Sequence, residues 1–258
     1  MKTLLTTLLK DHTLALEERQ DDGPWTFFHV RTKKSVSVEA STLEAEVAAA
    51  EDPRAWLSSF LEGLTAVLCR RTFRLPEMSF ADAAGGLLPR LMGPGFVAGV
   101  QRAGVARPYA RQWEAGLVLT YWVELDDGLE LLTRENVEAW AVTDDRIACA
   151  GRSMLFHKTG FDCEETRASG GVRTFSRGDG YDTARILALA DLEWHRAQTG
   201  LLAAVPREGL MLYSERPTAD TDAAWQSFKA TVLEEFSSSS RPLSPHLFEL
   251  VKGQVRVL

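Results

Sequence analysis

A short acidic segment in the second half of the sequence carries the residues best suited to chemistry. Asp179 and Asp182 flank Tyr181 in a loop with two glycines, and a helix is predicted to begin directly after them. Two carboxylates placed together in this way could bind a divalent cation or accept a proton. Arg185, in the first turn of that helix, could hold an anionic group. One hypothesis is therefore a metal-assisted hydrolase that acts on an anionic substrate through Asp179, Asp182 and Arg185.

The same three residues have a structural explanation, which we favour. Asp182 can accept hydrogen bonds from the free amides at the start of the helix, and the glycines let the chain turn tightly. Arg185 opposes the helix dipole at this position, so an ion pair with Asp182 or another carboxylate accounts for it better. Two carboxylates also fall short of the six or more oxygen ligands of a calcium loop. We therefore expect no bound metal at Asp179 and Asp182.

The cysteines and histidines do not form a recognisable catalytic or metal-binding motif. Cys163 has His157 nearby in sequence, but Asp162 and Glu164 beside it would raise the pKa of the thiol and disfavour the reactive thiolate. His195 lies beside a helical apolar stripe and is expected to be a packed or surface residue. The sequence contains no CxxC pair, no HExxH, no GxSxG and no glycine-rich phosphate or dinucleotide motif. We therefore expect no cofactor.

Arginines are concentrated in the middle of the chain, although the protein as a whole is acidic. Residues 70–111 contain seven arginines but only two acidic residues, whereas acidic residues outnumber basic ones in the part of the chain that follows. The candidate binding residues among these arginines are Arg90, Arg102, Arg107 and Arg111. Such a group could dock the acidic surface of a partner or a phosphate group. The alternative is that these arginines form ion pairs with the acidic second half and hold the two parts of the chain together.

The composition is that of an ordinary globular protein, and it limits the classes of partner. Of 258 residues, 45% are hydrophobic and 25% are charged, which excludes a mostly disordered chain. The formal net charge of −7 argues against a general nucleic-acid-binding protein. No stretch has the apolar length of a membrane span, and the leucines near the N-terminus follow helical spacing rather than the pattern of a signal peptide. We expect a cytoplasmic protein with no membrane contact, whose partner is another protein.

The apolar patterns predict an α+β fold with mainly antiparallel strands. Residues 1–78 are predicted to form a small helix–hairpin–helix segment, whose last helix begins at Asp52 and Pro53. Glycine, proline and arginine interrupt residues 79–112, which we expect to form an irregular connection that could include a short strand near Leu87–Met92. Residues 113–258 are predicted to form a larger mixed domain with several hairpins and separate helices, two of which are expected to be capped by Thr133 and Thr143.

Three segments of the C-terminal half suggest a family when they are taken together: LTRENVEAWAVTDD (132–145), SRGDGYDTARILALA (176–190) and VPREGLMLYSE (205–215). They resemble the YtpQ-like bacterial proteins of unknown function, in which a D-x-Y-D-A-S-R-I-L type segment precedes a helix and a VP hairpin follows it. The resemblance covers about residues 113–258. It implies a soluble bacterial α+β protein, and it implies no activity, cofactor or catalytic residue.

The functional expectation follows from the candidate sites. No set of possible catalytic residues is better explained by chemistry than by structure. We therefore expect a non-catalytic protein-binding or adaptor module, in which tryptophan and phenylalanine side chains supply the contact energy. The metal-assisted hydrolase remains the alternative.

Overall fold

A computed structural model shows how the chain folds. It describes residues 1–17, 23–70, 73–105, 107–160, 166–167, 172–193, 200–216, 223–251 and 254–258. The strands form three sheets of antiparallel pairs, with separate helices packed against them, so the predicted α+β class is confirmed.

The N-terminal part of the chain forms the first sheet. Its strands, in spatial order, are β1 (Leu14–Leu16), β2 (Trp25–His29) and β3 (Ser35–Val38). The helices of this part are α1 (Lys2–Leu8), α2 (Ala40–Ala49) and α3 (Pro53–Leu68). The sequence indicates a single strand from Trp25 to Val38 with a local break, and the structure divides it at a turn in which Lys33 has a positive φ of 60°. The first buried core lies between this sheet and the apolar face of α3.

The middle of the chain forms the second sheet. Its strands are β4 (Leu87–Met92), β5 (Ala110–Gln112), β6 (Val118–Leu125) and β7 (Gly128–Leu131). The helices of this part are α4 (Phe80–Ala84), α5 (Phe96–Arg102), α6 (Arg134–Ala139) and α7 (Asp144–Thr159). Strand β6 pairs with β4 along one edge, and with β5 and then β7 along the other.

The prediction that residues 79–112 form an irregular connection is wrong. These residues contain two helices and two strands, and both strands pair with β6. Pro89 is tolerated in β4 because this strand lies at the edge of its sheet, where one side needs no amide donor. Gly99 serves packing, because a side chain there would overlap the backbone of α3. The division into domains at residues 78 and 112 stays a prediction.

The C-terminal part forms the third and largest sheet. Its strands, in spatial order, are β13 (Gln254–Val257), β12 (Leu247–Val251), β10 (Leu201–Arg207), β11 (Leu210–Glu215), β9 (Arg173–Phe175) and β8 (Thr166–Arg167). The helices are α8 (Ile186–Leu192) and α9 (Ala223–Ser238). Alternate residues of β10 face opposite sides, so Leu201 and Ala203 join one core and Leu202 and Ala204 join the core under α9.

Three helices begin at the capping residues that the sequence predicts. The Asp52 carboxylate accepts a hydrogen bond from the Ala55 amide at 2.7 Å at the start of α3. Thr133 exchanges hydrogen bonds with Asn136 at the start of α6, and the Thr143 hydroxyl accepts one from an amide at the start of α7. Each bond satisfies an amide that has no partner within its own helix. The predicted caps at Asp52, Thr133 and Thr143 are therefore confirmed.

Candidate functional site

The loop before α8 brings Asp179, Asp182 and Arg185 together. After β9 the chain turns through Gly178 and Gly180, whose φ angles are 72° and 80°. Glycine is the residue with the least strain in this left-handed region. A 3-10 turn at Thr183–Arg185 then leads directly into α8. The three residues are neighbours, which is the arrangement that a shared site would need.

Arg185 lies at the centre of this group and is fully buried. Its Nη1 is 2.8 Å from Oδ1 of Asp182, and its Nη2 is 2.5 Å from Oδ2 of Asp179. Its Nε donates to the hydroxyl of Thr159 in α7 at 3.2 Å. The guanidinium carbon is also 5.9 Å from the centre of the Phe175 ring. A buried arginine needs partners for its charge and its donors, and this one has them.

Asp182 is also fully buried, but its side chain does not cap the helix. Its Oδ1 accepts a hydrogen bond from the Arg177 amide at 2.9 Å, and its Oδ2 accepts one from the Gly178 amide at 3.0 Å. Both amides precede Asp182 in the chain. The prediction of a side-chain cap is therefore wrong, because the carboxylate satisfies the incoming loop and Arg185 instead of the first turn of the helix.

These contacts favour a structural role for the acidic pair. Burial alone would raise the pKa of Asp179, but Arg185 and the Tyr181 amide outweigh that effect and hold the pKa below its usual range. The carboxylate is therefore ionised at neutral pH and bonded within the protein, which makes it a poor general acid. In the part of the chain that the structure describes, no three or more His, Cys, Asp or Glu side chains are grouped so that they could hold a metal ion.

The structure places each of the four predicted binding arginines beside a carboxylate. The pairs are Arg90 with Glu208, Arg102 with Glu46, Arg107 with Glu135 and Glu138, and Arg111 with Asp144. Three of the four arginines reach into the acidic second half, which favours the alternative of internal ion pairing. Arg102 instead pairs with Glu46 of α2, in the N-terminal part. A role for these arginines in docking a partner stays a prediction.

A second charged cluster was not predicted from the sequence. Arg90 in β4 has its Nη2 3.0 Å from Oε1 of Glu208 and 3.8 Å from Oε1 of Glu62 in α3. Arg241, which follows α9, has its Nη1 2.5 Å from Oε2 of Glu208. His12 is nearly fully buried, and its Nε2 has no hydrogen-bond partner among the described residues. We refer to Glu62, Glu208, Arg90, Arg241 and His12 as the central cluster.

The two carboxylates of the central cluster differ in their protonation. Burial and the neighbouring Glu208 carboxylate raise the pKa of Glu62 to about 8, although Arg90 and Arg241 oppose the shift. Burial also acts on Glu208, but the same two arginines outweigh it and lower its pKa. Burial lowers the pKa of His12 to about 4. The cluster therefore contains one ionised and one protonated carboxylate at neutral pH. No sequence motif could reveal it, because its members come from distant segments.

An apolar groove of about 600 Å³ lies between the end of α3, the segment before α4 and helix α6. Its apolar lining includes Val67, Phe73, Pro76, Val105, Leu131 and Ala139. Phe73 is 42% exposed, and the ammonium group of Lys34 lies 5.8 Å from the centre of its ring. The charged side chains that line the groove in the described part of the chain are both acidic, Glu130 and Glu135.

The other residues considered as catalytic give no further site. Cys163 and His195 lie outside the described residues. His157 is exposed near the end of α7. None of the described helices is long and apolar enough to span a membrane.

No protein-family model, curated protein or solved structure matches the chain. The resemblance to the YtpQ-like family therefore stays a prediction.

Proposed function

We propose that the protein is a non-catalytic protein-binding module and that the apolar groove around Phe73 is its docking surface. The observation that carries this proposal is the exposure of Phe73 beside a concave apolar lining. Large exposed aromatic side chains at such places are typical anchors of protein interfaces. A groove of about 600 Å³ is also large enough to bury one or two bulky side chains of a partner.

The charge around the groove defines the chemistry of the partner. Glu130 is nearly fully buried, and its two oxygens accept hydrogen bonds from the amides of Arg74 and Leu75. Glu135 is 56% exposed and shares the single guanidinium of Arg107 with another glutamate of α6. Glu135 and Glu138 therefore leave excess negative charge on the α6 side of the groove, while Lys34 lies on the Phe73 side. The occupant we propose is a short segment of another protein, in which a bulky apolar side chain is flanked by lysine or arginine.

The geometry does not favour the alternative, a metal-assisted hydrolase. Asp179, Asp182 and Arg185 are bonded to one another and to backbone amides. Asp182 and Arg185 have no exposed surface through which a substrate could reach them. Titration calorimetry with Mg²⁺ or Mn²⁺ separates the two proposals: stoichiometric uptake of either ion that is lost in Asp179→Asn would favour the hydrolase.

The docking surface can be tested by selecting peptides from a displayed random library against the full chain. We expect the selected peptides to share a bulky apolar residue with a lysine or arginine within a few positions. Phe73→Ala should weaken their binding by at least about tenfold, because loss of an anchor residue typically removes this much affinity. Leu233→Ala is the matched control, because Leu233 is similarly exposed, at 53%, on α9.

The negative charge on the α6 side of the groove can be tested with the same peptides. Glu135→Gln combined with Glu138→Gln should weaken binding and reduce its dependence on salt concentration, since exposed charges act through screened electrostatics. Glu234→Gln on α9 is the control and should leave both quantities unchanged. The proposal is wrong if the selected peptides bind the Phe73→Ala variant as tightly as the wild type, or if no basic residue recurs among them.

A further inference from the structure

A second pocket, of about 430 Å³, lies at the end of α3 and shares none of its described lining residues with the docking groove. Its lining includes Arg31, Thr32, Cys69, Arg70, Asp127 and Leu129. Two hydrogen bonds fix its walls. The Thr32 hydroxyl donates to the Leu68 carbonyl at 2.6 Å, and Nε of Arg70 donates to the Leu129 carbonyl at 2.7 Å. The β2–β3 turn, the end of α3 and the β6–β7 turn are thereby held around one cavity.

The surroundings of this pocket are basic, although the protein carries a net charge of −7. The basic side chains belong to the β2–β3 turn and to the segment after α3: Arg31, Lys33, Lys34, Arg70 and Arg74. Arg31, Lys33 and Arg74 are exposed and form no ion pair within the described residues. Arg90, Arg102, Arg107 and Arg111, in contrast, each lie beside a carboxylate. Arg31, Lys33 and Arg74 therefore supply positive charge that no carboxylate of the described residues neutralises, whereas Arg70 lies near Asp127 and Glu130.

Arg70 provides the second, independent observation. Its side chain is only 7% exposed, and its Nη1 lies 3.6 Å from carboxylate oxygens of both Asp127 and Glu130. Its Nη2 is buried without any hydrogen-bond partner among the described residues. Nη2 lies beside the pocket lining, because a Cβ atom at Gly128, which lines the pocket, would be 3.9 Å from it. A buried guanidinium donor without an acceptor is destabilising, so negative charge brought into the pocket next to it would be stabilising.

We propose that this pocket binds the phosphate or carboxylate group of a small anionic molecule. Arg31, which is exposed at the mouth of the pocket, pairs with the anion, and the buried guanidinium of Arg70 beside the lining contributes a second positive charge. Planar guanidinium groups match the geometry of both kinds of anion. The volume of the pocket lies within the range of pockets that hold small molecules. Asp127, which is 53% exposed, limits how much negative charge the pocket accepts.

Cys69 lines the same pocket and reports on its occupancy. Burial raises the pKa of its thiol, and Arg70, Arg31 and Lys34 offset this only in part. The thiol is therefore mostly protonated at neutral pH, which argues against a nucleophile and in favour of slow, measurable alkylation. Cys149 is exposed on α7 and serves as an internal control in the same molecule.

The test is the rate of alkylation by iodoacetamide, a neutral reagent, followed by peptide mapping of Cys69 and Cys149 in the full chain. Inorganic pyrophosphate and citrate are the two probes, each compared with sodium chloride at the same ionic strength to remove general screening. We expect at least one probe to slow alkylation of Cys69 several-fold in a saturable manner, with Cys149 unaffected. The probe that protects at the lower concentration distinguishes a phosphate ligand from a carboxylate ligand.

Two variants locate the effect. Arg31→Ser removes an exposed, unpaired charge and should weaken protection by about tenfold without altering the fold, because a charge-assisted hydrogen bond contributes about this factor. Arg102→Ser removes an exposed arginine that is paired with Glu46 elsewhere, and it should leave protection unchanged. The proposal is overturned if neither probe protects Cys69 better than chloride does, or if protection is the same in Arg31→Ser as in the wild type.

Discussion

Arg185 and Asp182 are both fully enclosed by the protein, with Nη1 of the arginine 2.8 Å from Oδ1 of the aspartate. The same guanidinium bonds Thr159 of α7 and Asp179 of the loop. It therefore joins the end of one helix to the start of another through a single charged side chain. The segment that looks most like a catalytic motif in the sequence connects α7 to the loop before α8.

The first prediction concerns this internal ion-pair network. Arg185→Met should lower the free energy of unfolding by about 3–5 kcal/mol, because it leaves Asp182 as an unpaired buried charge. Urea unfolding followed by circular dichroism measures the change. Arg102→Met is the control, since it breaks an exposed pair, and it should change stability by less than about 1 kcal/mol. Equal losses in the two variants would contradict a structural role for Arg185.

The sequence predicted those features that depend on neighbouring residues. Asp52 precedes proline at a helix start, and Thr133 precedes Asn136 at capping-box spacing, so both caps could be recognised locally. Strand β4 was only a possibility in the sequence, because Pro89 and the surrounding glycines indicate irregular structure. Its position at the edge of a sheet, which makes proline acceptable, depends on the tertiary fold.

The ion pair of Arg185 with Asp182 lies within one segment, and the sequence predicted it. The burial of that pair and the other sites depend on contacts between distant segments, and the sequence could not predict them. Arginine is usually exposed, so nothing local indicates that Arg185 is buried. Glu62 and Glu208 stand far apart in the chain and meet only when β4 places Arg90 between them. The exposure of Phe73 could not be predicted from the sequence either, because an aromatic residue in an apolar sequence is expected to join a core.

The second prediction concerns the close packing of α3 and α5. Gly99 lies against the carbonyl oxygen of Phe60, and a Cβ atom there would overlap it. Because both partners are helix backbone, Gly99→Ala should destabilise the protein by at least about 1–3 kcal/mol. Gly85→Ala is the control, because residue 85 has open space around it and an ordinary negative φ. The stability of this variant should be unchanged or slightly increased. If the two variants unfold at similar temperatures, α3 and α5 can move apart without a loss of stability, and the prediction is wrong.

The third prediction separates a helix cap from a buried charge. Asp52→Ala removes one hydrogen bond to the Ala55 amide and should destabilise the protein by about 1 kcal/mol. Asp182→Ala removes the acceptor of two loop amides and a buried partner of Arg185. This substitution should therefore cause a larger loss of stability, about 3–5 kcal/mol. Denaturant titration of both variants gives the comparison. A loss of only about 1 kcal/mol for Asp182→Ala would restore the interpretation as a simple cap.

The fourth prediction is a dependence of stability on pH that originates at Glu62. Its pKa is raised from 4.5 to about 8 in the folded protein, mainly by burial and by the repulsion of Glu208. Because the folded protein favours the protonated form of Glu62, this carboxyl group stabilises the protein fully below pH 4.5. The stabilisation is lost as the pH rises through about 8. The groups that face Glu62 are Glu208 from the β10–β11 turn, Arg90 from β4 and Arg241 from the segment after α9.

Measurements between pH 7 and pH 8 isolate this effect. His12, whose pKa is lowered from 6.5 to about 4, is mostly neutral there in both the folded and the unfolded state. The unfolding free energy of the wild type should therefore fall with pH relative to Glu62→Gln, by at most about 1.4 kcal/mol per pH unit. Glu234→Gln, an exposed substitution on α9, should keep the wild-type slope. If Glu62→Gln and the wild type lose stability in parallel over this range, Glu62 is already ionised in the folded protein, and Arg90 and Arg241 must neutralise both carboxylates.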